Sequence, residues 1–159
     1  MEDAVAMERA IELARAAAER GDEPYGSVIV VEGRIVSEGE NSVATDLDPT
    51  AHAEITAIRR ACRDLERTDL SGGTIYASGE PCWTCSAAIR GARLSRVVYA
   101  APSLWATGGD TSDFPILRAE VAGLSPPPEV VSGVLEDQAR ALFADLGWTD
   151  SKDGRPQSE

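Results

Sequence analysis

Residues that bind metals or form disulfides are scarce in this sequence. Its 159 residues include one histidine and three cysteines. Three cysteines cannot all pair with one another, and a structural disulfide is not expected in a cytoplasmic chain. Cys82 and Cys85 could be a redox pair, a metal pair or two unconnected core residues. Cys62 falls in the apolar pattern of a predicted helix, which favours a buried small hydrophobic residue.

Long apolar runs and an export signal are also missing. No uninterrupted apolar run approaches the ~20 residues that a membrane-spanning helix needs. The N-terminal Met1-Glu2-Asp3 is acidic and leads into an alanine-rich, charged segment. A signal peptide would instead begin basic and continue apolar. We therefore expect a cytoplasmic protein with no membrane partner.

Positive charge is in short supply. Lysine and arginine total 15 against 27 aspartates and glutamates, which gives a formal net charge of −12. Such a charge repels phosphate backbones and argues against high-affinity nucleic-acid binding, although a local basic patch can exist within a negative total. The composition therefore favours a small-molecule partner and makes nucleic acid an unlikely one.

The length and overall composition are those of one soluble globular domain. The chain is 43% hydrophobic and 26% charged, and 159 residues are enough to bury a substantial core. We place the domain at residues 1–148. Residues 149–159 are polar and are expected to form a disordered tail.

Hydrophobic periodicity and turn residues predict an α/β chain. The predicted helices cover residues 3–20, 50–65, 81–91, 114–120 and 135–146, and the predicted strands cover residues 27–31, 34–39, 74–78, 96–100 and 129–132. Glu32-Gly33 predicts a hairpin between the first two strands. A polar loop is expected from residue 40 to residue 49. The strand, helix and strand between residues 74 and 100 predict a right-handed crossover with parallel strands.

Two short motifs combine the residues that a catalytic zinc site requires. His52-Ala53-Glu54 and Pro81-Cys82-Trp83-Thr84-Cys85 together supply one imidazole, two thiols and one carboxylate. The two cysteines are three residues apart and point the same way on a helix, whose N-terminus favours thiolates. Three protein ligands leave a fourth zinc position open for water, as in catalytic sites.

Glu54 separates a hydrolytic site from a structural one. A structural zinc site has no use for a carboxylate two residues from its histidine, whereas hydrolysis needs a base to move a proton from water to the leaving nitrogen. The combination H-x-E and P-C-x-x-C is the signature of zinc deaminases. Structural zinc and a thioredoxin-like redox pair are the alternatives, and the redox pair leaves His52 and Glu54 unexplained.

The stretch Asp48 to Glu54, together with Glu80 to Cys85, resembles the cytidine deaminase superfamily, in the branch that holds guanine, guanosine, cytosine and tRNA adenosine deaminases. The resemblance implies a three-layer cytidine deaminase-like fold with a mixed five-stranded sheet, one Zn²⁺ per subunit and a homodimer. It implies that the zinc ligands are His52, Cys82 and Cys85, that the proton shuttle is Glu54, and that substrate contacts are made by Tyr25, Asn41, Ala53 and Asp113. For Asn41 the alternative is loop capping, and for Tyr25 it is core packing.

Several features bear on the substrate. Glu80 before Pro81 resembles the purine branches, and Asp113-Phe114 falls where guanine and guanosine deaminases carry an Asp-Phe pair. Gly79 stands where guanine deaminases have cysteine, and Trp83 stands where a small residue or proline is usual. The spacing of residues 131–135 before the last helix is closer to tRNA deaminases, but the chain after Phe143 is acidic where those enzymes are basic.

The first expectation is therefore deamination of a free guanine-type purine or its nucleoside, in which hydroxide on the zinc attacks the amino-bearing ring carbon and ammonia leaves. Another small amino-heterocycle, such as cytosine or a triazine, is the alternative substrate. A tRNA adenosine deaminase comes next. A non-catalytic zinc-bearing binding protein is the last alternative, against which the intact Glu54 argues.

Overall fold

A computed structural model of the chain describes residues 1–102 and 115–148. It has a central sheet with helices on both faces. The helices are α1 (Asp3–Glu19), α2 (Val43–Asp46), α3 (Ala53–Asp64), α4 (Trp83–Gly91), α5 (Pro115–Arg118) and α6 (Glu136–Asp145). The strands are β1 (Gly26–Val31), β2 (Arg34–Glu40), β3 (Thr74–Gly79), β4 (Arg96–Ala101) and β5 (Glu129–Ser132). In the described part of the chain no helix is long and apolar enough to cross a membrane.

The five strands form one mixed sheet in the order β2-β1-β3-β4-β5. β1 pairs antiparallel with β2 and with β3, whereas β3, β4 and β5 run parallel. The predicted crossover is thus β3, α4 and β4. At the predicted hairpin Glu32 and Gly33 have φ values of 50° and 73°. Positive φ at both central residues is what a tight hairpin turn between right-twisted strands requires.

Side chains alternate between the two faces of the sheet and build two apolar layers. Val28, Tyr76 and Val98 lie in the cluster that includes α1 and α6 residues. Their strand neighbours Ile29, Ile75 and Val97 lie in the cluster that includes α3 and α4 residues. Burial on both faces explains why these strands are nearly continuous runs of apolar residues. The expected three-layer architecture is confirmed.

Two glycines let helices approach the sheet backbone closely. A Cβ atom on Gly26 would overlap the carbonyl oxygen of Ala10 in α1, and one on Gly39 would overlap the carbonyl oxygen of Ala53 in α3. These glycines are diagonal neighbours in the sheet, because Gly26 pairs with Glu40 and Gly39 pairs with Ser27. The first residue of α3 is therefore seated directly on β2.

The polar loop expected between residues 40 and 49 contains the short helix α2. The Asp22 side chain, which is fully buried, accepts hydrogen bonds from the backbone N–H groups of Ala44 (2.9 Å) and Thr45 (3.0 Å). It also accepts one from the Thr45 hydroxyl at 2.6 Å. These bonds satisfy N–H groups that a helix start leaves unpaired. Prediction of a plain loop was wrong because the capping carboxylate lies about twenty residues earlier in the chain.

Arg90 ties the zinc-motif helix α4 to the segment that leads to β5. Its guanidinium is buried and donates to the carbonyl oxygens of Ala119 (2.9 Å) and Ser125 (2.8 Å from Nε). The Ser125 hydroxyl donates in return to the carbonyl oxygen of Arg90 at 2.7 Å. The C-terminal part of the sheet is thereby fastened to α4.

Candidate zinc-dependent active site

Two of the three candidate metal ligands stand immediately before a helix. His52 precedes α3 with φ −70° and ψ 153°, and Cys82 precedes α4 with φ −67° and ψ 176°. Both are extended, so the helices predicted to begin at residues 50 and 81 begin at Ala53 and Trp83 instead. Proline restricts φ to values that a helix tolerates but does not require a helix to begin at that residue. Cys85 lies in the first turn of α4.

The three ligand side chains converge on one point. The Sγ atoms of Cys82 and Cys85 each lie 3.5 Å from Nδ1 of His52. Zn–S bonds of about 2.3 Å and a Zn–N bond of about 2.0–2.1 Å at tetrahedral angles separate sulfur from nitrogen by about 3.5 Å. The donor set therefore fits zinc. Within the described ranges it is the one group of three or more His, Cys, Asp or Glu residues whose ligand atoms lie this close together.

The ligand set is enclosed on one side and open on the other. Cys85 is completely buried, whereas His52 and Cys82 are partly exposed. Trp83, next to Cys82, is 52% exposed. A substrate can therefore approach from the side of His52 and Cys82, while the side of Cys85 belongs to the protein interior.

The Glu54 carboxylate lies against the ligand set. It is 6% exposed, and its Oε2 accepts a hydrogen bond from the Cys85 thiol at 3.4 Å. Burial raises the pKa of Glu54 above its ordinary value, and the negative charge of the Cys82 thiolate adds to the effect. A divalent cation beside the carboxylate acts in the opposite direction. Glu54 is thus a buried base positioned at the edge of a metal site.

The two thiols have different proton affinities. A hydrogen bond with Cys85 makes the largest contribution to lowering the pKa of Cys82, which falls to about 4, and a hydrogen bond with His52 acts in the same direction. Hydrogen bonding to Cys82 raises the pKa of His52, while the neighbouring Cys82 and burial raise the pKa of Cys85. The thiolate form of Cys82 and the protonated form of His52 thus favour each other. Zinc binding replaces the remaining protons of such a cluster, which makes zinc affinity dependent on pH.

Asn41 is placed by backbone contacts near the ligand set. Its Oδ1 accepts a hydrogen bond from the backbone N–H of Val43 at 3.2 Å, which is the loop-capping role. Its own N–H donates to the carbonyl oxygen of Tyr25, and Arg20 donates to its carbonyl oxygen. The next residue, Ser42, donates to the carbonyl oxygen of Ala51 beside His52. A contact between Asn41 and substrate stays a prediction.

The other predicted substrate contacts differ in what surrounds them. The Tyr25 ring packs against Phe143 and Trp148, with centroids 5.7 Å and 6.2 Å away. Ala53 is fully buried at the start of α3. Asp113 lies outside the described residues. Contacts between these residues and substrate remain predictions.

Sequence reasoning passed over Glu23. Its charge is close enough to the imidazole to contribute to the raised pKa of His52, after the larger effects of Cys82 and Glu54. The only sequence signal was its position two residues before Tyr25.

Comparison with known proteins identifies the motif region. Residues 1–101 match the family described as the cytidine and deoxycytidylate deaminase zinc-binding region. The guanine deaminase of Bacillus subtilis is 53% identical over 78 residues, which is 49% of this chain and 50% of that protein. The tRNA-specific adenosine deaminase of Agrobacterium fabrum is 38% identical over 142 residues, covering 86% of this chain and 88% of that protein. A solved tRNA:A34 deaminase superimposes with a TM-score of 0.77 at 34% identity, covering 86% of this chain and 97% of that chain.

These matches correct the inference drawn from net charge. Two relatives that align over most of the chain are named as enzymes acting on tRNA. A net charge of −12 therefore does not exclude nucleic acid as a partner. The physical reason is that binding of a polyanion depends on the local distribution of cations and not on their sum.

Proposed function

From the premise that this chain belongs to the cytidine and deoxycytidylate deaminase family, we propose that it deaminates a free purine base or its nucleoside, with guanine as the first candidate. The chain is a zinc-dependent hydrolytic deaminase, as the family match and the His52, Cys82 and Cys85 donor set indicate. The proposal concerns the substrate on which that chemistry acts.

The residues at the site account for the reaction as follows. Zinc held by His52, Cys82 and Cys85 would lower the pKa of a water molecule to near neutrality. Glu54 takes the proton released by that water and delivers it to the amino group that leaves. The ring carbon gains an oxygen and loses its nitrogen, so one water is consumed and one ammonia is released. The observation that carries this assignment is the buried Glu54 carboxylate beside a set of three protein ligands, the full set found among the described residues.

The preference for guanine is supported by the region around the motifs. The 53% identity with guanine deaminase is higher than the 38% identity with the Agrobacterium fabrum tRNA enzyme, although it spans fewer residues. Guanine presents several N–H groups, and carboxylates are natural acceptors for them. Glu54 lies at the ligand set, and we propose that Asp113 accepts from the purine edge. A pocket with such acceptors would suit a neutral base with many donors.

A second candidate is deamination of adenosine in tRNA. The observation that favours it is the length of the match, since two tRNA enzymes each match 86% of this chain, over 88% and 97% of their own lengths. The two candidates share the attack of water on an amino-bearing purine carbon. They differ in whether the base is free, carried by a nucleoside or part of a tRNA.

A substrate panel separates these candidates. We expect zinc-loaded protein to release ammonia from guanine or guanosine with kcat/KM at least about tenfold above that for cytosine, adenine, adenosine or a triazine, equivalent to 1.4 kcal/mol in the transition state. Ammonia release and chromatography of the products are the measurements. A tRNA transcript is included, with inosine as the product, and the Glu54→Gln variant supplies the background rate.

Each outcome decides between the hypotheses. Inosine formation in tRNA that exceeds turnover of every free base would replace guanine by the second candidate. Turnover confined to cytosine or a triazine would point to a smaller amino-heterocycle. Zinc-loaded protein with no activity on any member would favour a non-catalytic zinc-bearing protein and overturn the proposal.

A further inference from the structure

Ser86 binds both peptide groups that flank the ligand Cys82. Its backbone N–H donates to the carbonyl oxygen of Cys82 at 2.8 Å. Its hydroxyl donates to the carbonyl oxygen of Pro81 at 3.1 Å. Cys82 stands immediately before α4, so the hydrogen-bond ladder of the helix starts with the Cys82 carbonyl and does not include that of Pro81. The peptide group that precedes the ligand is therefore held by a side chain.

This hydroxyl bond differs from the one that serine usually makes inside a helix. A helical serine hydroxyl commonly returns to the carbonyl oxygen three or four residues earlier. In this helix the carbonyl four residues before Ser86, that of Cys82, accepts a backbone N–H, and the hydroxyl reaches the carbonyl five residues earlier. Ser86 and Pro81 are both buried, so the Pro81 carbonyl needs a donor from the protein in place of water.

The other ligand that precedes a helix is held in the same way. The carbonyl oxygen of Ala51, the residue before His52, accepts the backbone N–H of Ser42 at 3.0 Å. The carbonyl oxygen of His52 accepts the backbone N–H of Thr56 at 2.9 Å. A backbone N–H thus holds the peptide group before His52, whereas a side chain holds the one before Cys82. One substitution can therefore release the cysteine without releasing the histidine.

The placement of Cys82 matters because zinc tolerates little error in the position of a ligand. Zn–S bonds are about 2.3 Å long, and ligand distances depart from such values by only about 0.2 Å. The Cys82 sulfur lies 3.5 Å from Nδ1 of His52, which is the separation that one shared zinc ion requires. If the peptide group before Cys82 could rotate, zinc binding would have to order it, and that ordering would lower the affinity.

We propose that Ser86 is a positioning residue for the metal, whose hydroxyl fixes the peptide group between Pro81 and Cys82 and so holds the Cys82 sulfur where zinc needs it. Ser86 acts through the backbone of the ligand and is not a ligand itself. Loss of a partner that orients a metal ligand typically costs about 10–100-fold in metal affinity or activity. The inference goes beyond the proposed function, because it concerns retention of the metal whichever base is the substrate.

The zinc affinity of the Ser86→Ala variant tests this role. We expect its Kd for zinc, measured by competition with a chelator in the absence of substrate, to be at least about tenfold above that of the wild type. Ser27→Ala is the matched control, because the Ser27 hydroxyl is also completely buried and donates to a backbone carbonyl, that of Tyr76, at 2.9 Å. That bond joins two strands and flanks no ligand, so the Kd should stay within about threefold of the wild-type value.

Thermal unfolding separates a loss of general stability from a loss of metal binding. Each substitution leaves a buried carbonyl oxygen without its hydroxyl donor, so both variants should lower the Tm of the metal-free protein by about 2 °C or more. Added zinc should raise the Tm of Ser27→Ala as much as that of the wild type. It should raise the Tm of Ser86→Ala by less, since the stabilisation that a ligand provides increases with its affinity.

The outcomes are distinct for the two proposals. A Ser86→Ala variant that binds zinc as tightly as the wild type would overturn the positioning role, whatever its Tm. An equal loss of zinc affinity in Ser27→Ala would also overturn it, because buried hydroxyl bonds would then act only through general stability. A wild type that binds no zinc would overturn the ligand set and this inference with it. A wild type that binds zinc but deaminates no purine would overturn the proposed function alone.

Discussion

Glu54→Gln is expected to leave a folded, zinc-loaded protein that has lost at least about a hundredfold of its kcat, since a general acid–base group contributes about 10²–10⁴-fold. Glutamine has nearly the shape of glutamate but cannot accept and return a proton. Its amide can still occupy the buried position beside Cys85. Removing a buried carboxylate also removes a desolvation cost, so we expect no large loss of Tm.

The measurements for this variant are kcat, zinc per chain and Tm in one preparation. Glu12→Gln is a suitable control, because Glu12 is an exposed residue of α1 that pairs with Arg9. A Glu54→Gln enzyme that keeps more than about a tenth of the wild-type kcat would show that another group moves the proton.

Removal of a zinc ligand should have a comparably large effect on a different quantity. We expect Cys82→Ser and Cys85→Ser to weaken zinc binding at least about a hundredfold, since loss of an outer partner of a ligand alone costs 10–100-fold. Serine replaces a thiolate, whose charge the zinc site needs, with a neutral hydroxyl. Activity should disappear together with the zinc, and Tm should fall, because zinc that binds only the folded state stabilises it.

Cys62→Ser is the matched control for the ligand variants. Cys62 is the third free cysteine, and it lies partly buried beside the apolar layer of α3 and α4. The Cys62→Ser variant should retain about one zinc per chain, as measured by metal analysis after dialysis against a weak chelator. Full zinc content and activity in Cys82→Ser would contradict the assigned ligand set.

Local spacing was sufficient to predict the ligand set, because each motif lies at the start of one helix. His52 and Glu54 are brought together by two residues of chain, and Cys82 and Cys85 by one helical turn. The open question was whether the two motifs meet. The structure places Nδ1 of His52 at 3.5 Å from both sulfurs. The hairpin and the parallel crossover were predictable for the same reason, since each depends on neighbouring segments.

Features that depend on distant residues were not predictable. The helix α2 exists because Asp22 reaches its first turn from another part of the chain, and no local pattern marks that contact. The cluster of Tyr25, Phe143 and Trp148 joins opposite ends of the sequence. Hydrophobic periodicity predicted the helix that carries Phe143, but it did not predict that the Phe143 ring contacts Tyr25 and Trp148. The closeness of Gly79 to the ring of Tyr25, the residue before β1, was likewise visible only in the structure.

The close seating of α3 on β2 has a consequence for the time scale on which the site moves. The backbone of Ala53 and Ala57 meets the backbone at Gly39 with no side chain between them, so α3 cannot slide without separating from the sheet. Motion of that kind exposes core residues such as Ile29 and Ala61 and belongs to global unfolding. Amide protons of α3 that are bonded within the helix, from Thr56 onward, should thus be among the slowest to exchange with solvent. The histidine side of the ligand set would then stay in place on every time scale shorter than that of global unfolding.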